Sequence, residues 1–319
     1  MQCSFGLLRN TSYRVSVSVK IAFIVAFLFL SGCAKLSEEE RAEKAQELYS
    51  SALEAFKEGD YGTATWDFEE ALKFMDYLTP SQIEEAKFLL GKSYYLDEDY
   101  VNAIVALEDY IFYYPKLART EEAFYMLVDS YIKVSPDPYR DQEYTWKAIE
   151  KGKEFINKFP NSPYTPKVNK LIETAYRKIA QHEFLIAKFY EDYGYTYSAA
   201  LRYKELMLNF SQYISKEEVF YRYIKSLLFV ESQVRREKEK IMDLLTKTQK
   251  KLKSATEEER KAIERRISFL KKEIIRWEKI KENSLKEALS ALAKFKEVYG
   301  ETPLYKDLER LVREKEWKS

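Results

Sequence analysis

Apolar and small side chains recur every three or four residues through most of this chain, a spacing that predicts amphipathic helices. One segment carries Leu48, Ala52, Gly59, Tyr61, Ala64, Phe68 and Ala71. The next repeats the pattern with Leu90, Gly91, Tyr94, Tyr100, Ala103, Leu107, Tyr110 and Pro115. Ala64 and Ala103 hold equivalent positions 39 residues apart. Because a single helix pair cannot bury its own apolar face, this repetition predicts stacked helix pairs.

Three less regular repeats follow. The third begins at Glu121 and is interrupted by residues 135–142, where Pro136 and Pro138 are too close together to allow a helix. The fourth contains Ala187, Tyr190, Gly194, Ala199, Tyr203 and Leu206. The fifth begins near Lys216, ends with Ala288, Leu292 and Phe295, and is followed by a closing helix over residues 304–317.

A charged segment, residues 231–283, splits the fifth repeat. Its apolar residues keep helical spacing: Ile241, Leu244, Leu245, Ile263, Ile267, Leu270, Ile274, Trp277 and Ile280. Residues 253–257 are suited to a chain reversal, so we predict two long helices that form an antiparallel hairpin. The hairpin is interpreted either as a solvated spacer or as an arm that contacts a partner or lipid.

The helix pairs resemble tetratricopeptide repeats, with small residues in the first helix, a Gly/Asp-Tyr turn and an alanine early in the second helix. Composition agrees, since only 8 glycines and 8 prolines occur in 319 residues. The 26 tyrosines suit half-buried seams between helices, because the ring is apolar and its hydroxyl is polar. We therefore predict an all-α tetratricopeptide-repeat solenoid of about five helix pairs, with a long helical hairpin in the last repeat.

The N-terminus has the features of a lipoprotein signal. Arg9, Arg14 and Lys20 precede the apolar run 21–30, which as a helix rises only about 15 Å and is too short to span a bilayer. The next residues, Leu30-Ser31-Gly32-Cys33, resemble the lipobox of bacterial lipoproteins. This resemblance implies cleavage before Cys33 and attachment of S-diacylglycerol and N-acyl lipid there, the only non-protein group we expect. The alternative is an ordinary secretion signal.

These features divide the chain into five predicted parts. They are a signal peptide (1–32), a lipidated tether (33–40), repeats one to four with the start of the fifth (41–230), the hairpin insertion (231–283), and the end of the fifth repeat with the closing helix (284–319). The net charge is +1 for the whole chain and −2 without the first 32 residues, so we expect no nucleic-acid partner.

The sequence offers little material for catalysis, and we predict no catalytic and no metal-binding residue. His182 is the only histidine, and acylation would remove the last thiol. Gly-rich phosphate loops, G-x-S-x-G and Cys-x-x-Cys are absent from the sequence. A hydrolase with a hidden site around His182 is the enzymatic alternative to a structural role for this side chain.

Two segments give the resemblance to a family. Residues 155–164 contain Phe159-Pro160-Asn161-Ser162-Pro163-Tyr164, and residues 180–190 are followed by Gly194 and Ala199-Ala200. In this order, behind the lipobox, they resemble the BamD (ComL-like) family of tetratricopeptide lipoproteins in the outer-membrane β-barrel assembly complex. The resemblance covers about residues 33–230, and the insertion 231–283 departs from it.

The resemblance implies a scaffold on the periplasmic face of the outer membrane, held there by its lipid. The implied partners are the periplasmic domains of a BamA-type barrel protein, unfolded outer-membrane proteins and other assembly lipoproteins. Arg202 matches a family arginine and is expected to contact the barrel protein. A groove for aromatic client peptides is expected at Tyr49, Leu53, Phe56, Phe88, Lys92 and Tyr95, although these residues also suit packing between repeats. The alternative function is a tetratricopeptide lipoprotein that scaffolds peptidoglycan-synthesis or secretion machinery.

Overall fold

The computed structural model describes residues 36–316, which form twelve α-helices and no strand. This confirms the predicted all-α fold of helix pairs with a long hairpin in the last repeat. The predicted signal peptide, Cys33 and Trp317 lie outside the described residues. The helices belong to two compact units, one up to residue 97 and one from residue 98 onwards.

The first unit contains three helices: α1 (Glu38–Glu58), α2 (Tyr61–Lys73) and α3 (Pro80–Leu96), with a 3-10 turn at Met75–Tyr77. Side-chain caps explain where they begin. Ser37 and Thr79 each form a capping box, and Asp60 accepts a hydrogen bond from the Thr63 amide. Gly59 ends α1 at a φ of 83°, a left-handed conformation that glycine adopts without steric cost.

Alanine dominates the interior of this unit and allows its helices to approach closely. The buried core consists of Ala45, Tyr49, Ala52, Ala55, Ala64, Phe68, Ala71, Leu78 and Ala86. The small residues of the first repeat motif, Ala52, Ala64 and Ala71, are all fully buried. The alanine positions in the repeat therefore lie on the packed faces of the helices.

The second unit contains nine helices. They are α4 (Tyr100–Tyr113), α5 (Thr120–Val134), α6 (Glu143–Lys158), α7 (Thr165–Asp192), α8 (Thr196–Asn209), α9 (Lys216–Leu228), α10 (Val230–Lys253), α11 (Glu257–Tyr299) and α12 (Pro303–Glu316). From α4 to α9 each helix packs on the next, and α11 and α12 complete the fifth repeat against α9. None of the helices within residues 36–316 combines the length and apolar composition needed to cross a membrane.

Tyrosine hydroxyls join neighbouring helices by donating hydrogen bonds to carboxylates. In the first unit Tyr49 donates to Glu85 at 2.7 Å. In the second unit the pairs are Tyr131–Glu108, Tyr203–Glu191, Tyr221–Asp307 and Tyr223–Glu287. Burial, together with the Asp307 carboxylate that accepts its hydrogen bond, raises the pKa of Tyr221 to about 12. The neutral, donating form of this tyrosine is thus the stable one in the folded chain.

The loop at residues 135–142 is held by side chains of α7. The Lys178 ammonium donates to the carbonyl and hydroxyl oxygens of Ser135, at 3.0 and 2.6 Å. His182 Nδ1 lies 2.6 Å from the carbonyl oxygen of Pro138. Since a carbonyl oxygen only accepts, this ring nitrogen carries the proton and donates it. His182 therefore has a structural role in fixing the loop.

The insertion forms an antiparallel hairpin of α10 and α11, and the chain reverses at residues 254–256. A capping box between Thr256 and Glu259 begins the second helix. Leu270 is buried in the seam, with Ile267, Ile274 and Trp277 half-buried beside it. Leu244 is 39% exposed, because the seam on α10 is narrow and follows Ile241 and Leu245.

Helix α11 continues without a break through residue 283, where we placed the end of the insertion, and becomes the second helix of the fifth repeat. Phe295 on this helix is fully buried, and its ring centre lies 5.5 Å from that of Phe220 on α9. The hairpin and the repeat are therefore mechanically joined by one helix.

Candidate protein-interaction site

The predicted client groove maps to α1 and α3 of the first unit. Tyr49 and Phe88 lie inside the packed helices, with exposed fractions of only 7% and 4%. The hydroxyl of Tyr49 is engaged by Glu85. For these two residues the prediction of a position facing a client has to be corrected. An aromatic side chain at the seam between adjacent helices packs into that seam, since this buries the ring without a partner.

The other four groove residues are half-buried. Leu53 and Phe56 pack against the core of the first unit with part of each side chain exposed. The Lys92 ammonium lies 5.7 Å from the centre of the Phe88 ring, and Tyr95 follows one turn later on α3. What remains of the predicted groove is a small mixed surface of these four residues, two on each helix.

Arg202 lies on α8, at the surface of the second unit. Its side chain is 42% exposed, and one guanidinium nitrogen lies 3.6 Å from Glu183 and 3.7 Å from Glu205. These are loose ion pairs, and no described residue accepts a hydrogen bond from Arg202. Leu201 and Leu208 on the same helix are 46% and 74% exposed. We name Leu201, Arg202, Glu205 and Leu208, together with Glu183 of α7, the Arg202 surface.

The nearby Arg222 on α9 has the opposite character. It lies 3.1 Å from both Glu191 and Glu218 and packs over the Phe184 ring at 5.5 Å. Its side chain is only 23% exposed. Arg222 thus holds helices together through close ion pairs, whereas Arg202 makes only longer ion pairs and keeps its guanidinium half-exposed. An arginine beside exposed leucines is a typical composition for a protein-binding hot spot.

A pocket in the last repeat was missed by the sequence analysis. It has a volume of about 440 Å³ and lies between the end of α9, the start of α10, and helices α11 and α12. Phe229, Leu285, Leu289, Leu311 and Val312 form its apolar walls, and Glu231, Lys281 and Lys315 lie at its polar side. The available signal was the pair Leu285 and Leu289, one turn apart on α11 and off the buried face marked by Ala288 and Phe295.

Metal chemistry has no support in the described part of the chain. Within residues 36–316 no group of three or more histidine, cysteine or acidic side chains is arranged to hold a metal ion. The described geometry is instead that of helices presenting mixed apolar and charged surfaces.

Several known proteins resemble this chain in sequence. The model of an outer membrane lipoprotein family, YfiO, matches residues 41–241. The outer membrane protein assembly factor BamD of Aquifex aeolicus is 50% identical over 299 residues, which cover 93% of this chain and 97% of that protein. The chain belongs to the BamD family. The BamD of Caulobacter vibrioides is 24% identical over 219 residues, covering 67% of this chain and 70% of that protein.

The family model and the Aquifex aeolicus BamD differ in how far their matches extend into the hairpin of this chain. The family model ends at residue 241, inside α10, so most of the hairpin lies beyond it. The alignment with the Aquifex aeolicus BamD leaves fewer residues uncovered than the insertion contains, and so it extends into the insertion. A tetratricopeptide-repeat protein from Bacteroides fragilis is similar in structure at a TM-score of 0.33 and 13% identity, over 84% of this chain and 97% of that one.

Proposed function

We propose that this chain is a non-catalytic scaffold lipoprotein of the outer-membrane β-barrel assembly complex. Lipid on Cys33 anchors it to the periplasmic face of the outer membrane, and its repeats bind a BamA-type barrel protein and unfolded barrel clients. Membership of the BamD family supports the assembly role. The residues around His182 support the absence of catalysis, since the ring serves the loop at Pro138.

The Arg202 surface carries the proposal of a barrel-protein contact. Its guanidinium is half-exposed, its ion pairs are long, and its hydrogen-bond donors have no acceptor among residues 36–316. A carboxylate on the periplasmic domains of a BamA-type protein would accept these donors in a bidentate pair. Leu201 and Leu208, which share a neighbouring face of the same helix, would add apolar contact.

The pocket in the last repeat supports a second contact to the same partner. Leu285 and Leu289 are 45% and 44% exposed, more than apolar core residues of a helix pair are. A partner side chain that entered the pocket would cover them and would meet Glu231, Lys281 and Lys315 at the polar side. The resemblance to the BamD family also implies barrel-protein binding through the C-terminal repeats, and this supports the proposed second contact.

The half-buried residues of the first unit are the proposed contact for clients. Leu53, Phe56 and Tyr95 offer aromatic and aliphatic surface, and Lys92 offers a cation. This combination suits an aromatic-ended peptide with a free carboxylate or an acidic residue. Tyr49 and Phe88 would shape the surface from beneath without touching the client.

Arg202→Ala tests the barrel-protein contact. We expect the affinity for the periplasmic domains of a BamA-type protein to fall roughly tenfold to thirtyfold, the loss typical of an arginine hot spot. The measurement is binding of the purified chain to those domains by calorimetry. Arg177→Ala is the matched control, because Arg177 is exposed and hydrogen-bonded to Glu173 of its own helix. Equal affinity of both variants would contradict the proposed contact, and recovery of cell-wall synthesis proteins from envelopes would support the alternative scaffold.

A photocrosslinker at Tyr95 tests the client surface. We expect crosslinks to newly made barrel proteins in living cells, because the side chain is half-buried beside Lys92 on the proposed surface. The same crosslinker at Glu54, an exposed residue beside Leu53 on α1, is the control. Crosslinks of similar yield from both positions would show unspecific contact and would remove the client surface from the proposal.

A further inference from the structure

The hairpin and the rest of the chain differ in charge. Residues 231–283 contain seventeen basic and eleven acidic residues, a net charge of +6. The remainder of residues 33–319 carries a net charge of −8. The positive charge is thus concentrated in the hairpin, while the rest of the chain is negative. This favours an anionic partner that binds at the hairpin.

Several basic side chains of α11 share one exposed face of the helix. Arg265, Phe269, Lys272 and Arg276 follow the spacing of four, three and four residues that places them on one helix face, and all four are exposed. Leu270 and Ile274 lie on the other side, in the seam with α10. We name Arg265, Arg266, Phe269, Lys272 and Arg276 the basic stripe.

An aromatic ring lies in the middle of these cations. Phe269 is 53% exposed, and the Arg266 guanidinium lies 5.9 Å from the centre of its ring. The seam between α10 and α11 does not use Phe269. At a membrane surface, Lys and Arg side chains contact the headgroups, and an aromatic ring such as that of Phe269 can enter the boundary with the acyl chains.

The cations of the stripe are largely free of acidic neighbours. Within residues 36–316, Arg265, Arg266 and Lys272 form no ion pair, whereas many other charges of the second unit are paired within their own helix. Arg276 pairs with Glu273 at 3.2 Å. The stripe therefore keeps most of its positive charge for an external anion.

We infer that the basic stripe binds the phosphate-bearing headgroups of an anionic lipid surface, with Phe269 inserted at the interface. An acidic protein surface is the competing occupant, and the test below separates it from a lipid surface. The membership of this chain in an outer membrane lipoprotein family places a lipid surface within reach of the protein. This second, lateral attachment is independent of the proposed contacts at Arg202 and in the last-repeat pocket.

Vesicle co-sedimentation tests the inference. The full mature chain carries Cys33→Ser, so that no acyl chain holds it on the vesicles. We expect binding to vesicles with about 30 mol% phosphatidylglycerol and little binding to pure phosphatidylcholine. Arg265→Glu combined with Lys272→Glu should weaken binding roughly thirtyfold or more, since each cation at an anionic surface contributes roughly fivefold in affinity. Added salt should weaken binding in the same direction.

Lys286→Glu combined with Lys294→Glu is the matched control. Both lysines are exposed on α11 outside the hairpin, and the pair changes the net charge by the same amount. The control should retain the affinity of the parent chain. If both double variants lost the same amount of vesicle affinity, net charge alone would explain the binding, and the inference would be overturned. Binding to soluble polyglutamate without binding to vesicles would also overturn it, in favour of an acidic protein partner.

Discussion

Tyr203→Ala is expected to lower the free energy of unfolding by roughly 3–5 kcal/mol, the cost of removing a large buried aromatic side chain. Tyr203 is fully buried on α8, and its ring centre lies 6.0 Å from that of Phe184 on α7. Its hydroxyl donates to Glu191 at 2.6 Å, and Arg222 also reaches this carboxylate, at 3.1 Å. The mutation thus opens a cavity and weakens the link between α7, α8 and α9.

Urea unfolding followed by circular dichroism measures this loss. Tyr203→Phe separates the contribution of the ring from that of the hydroxyl, because it keeps the ring and removes only the hydrogen bond. We expect about 1–2 kcal/mol for this variant. Burial, reinforced by the hydrogen bond to Glu191, raises the pKa of Tyr203 well above its ordinary value, so the hydroxyl stays a donor. Tyr139→Ala is the control, because Tyr139 is 81% exposed. A loss at Tyr203→Ala no greater than at Tyr139→Ala would contradict the described packing.

Phe295→Ala is expected to cost a similar amount, roughly 3–5 kcal/mol, and to act on the last repeat. The ring is fully buried, with its centre 5.5 Å from the ring of Phe220 and 4.9 Å from that of Tyr299. Since α11 also forms half of the hairpin, loosening Phe295 should expose both the repeat and the base of the hairpin. Limited proteolysis should then cut α11 and α12 before the helices of the earlier repeats.

Val298→Ala on the same helix is the control for Phe295. Val298 is 57% exposed, so the expected change is within about 0.5 kcal/mol. The idea that Phe295 seats the hairpin on the repeat would fail if proteolysis began in the first unit or if both variants unfolded at the same urea concentration.

Arg202 and Tyr203 show how the fold and the proposed function are connected. They are neighbours on α8, where one side chain faces solvent and the other fills the core. Because Tyr203 is buried, it fixes which face of α8 points to the core. The neighbouring Arg202 therefore lies on a face that is exposed to solvent. Tyr203→Ala should therefore weaken partner binding through the fold, whereas Arg202→Ala should weaken it with unchanged stability.

Much of the fold could be predicted from the sequence because its cause is local. Alanine and glycine at regular positions, Asp-Tyr turns and the prolines at 136 and 138 each act within a few residues of chain. They led to the helix pairs, the loop at 135–142 and the reversal near residue 254, all of which the structure contains. The hairpin seam followed from apolar spacing alone, since two antiparallel helices bury whatever apolar stripe they share.

Tertiary structure determined which side chains are buried, which are paired and which are exposed for binding. Tyr49 and Phe88 are aromatic residues of the kind that line binding grooves. Their burial follows from the packing of α1 and α3, which the sequence pattern does not show. The partners of the tyrosine hydroxyls are carboxylates up to 86 residues away, which spacing along the chain cannot identify. The sequence does not distinguish Arg202 from Arg222. In the fold Arg222 has two carboxylates at 3.1 Å, whereas Arg202 has only longer ion pairs at the surface. The helical pattern is a property of neighbouring residues, while burial and charge pairing depend on which helices meet.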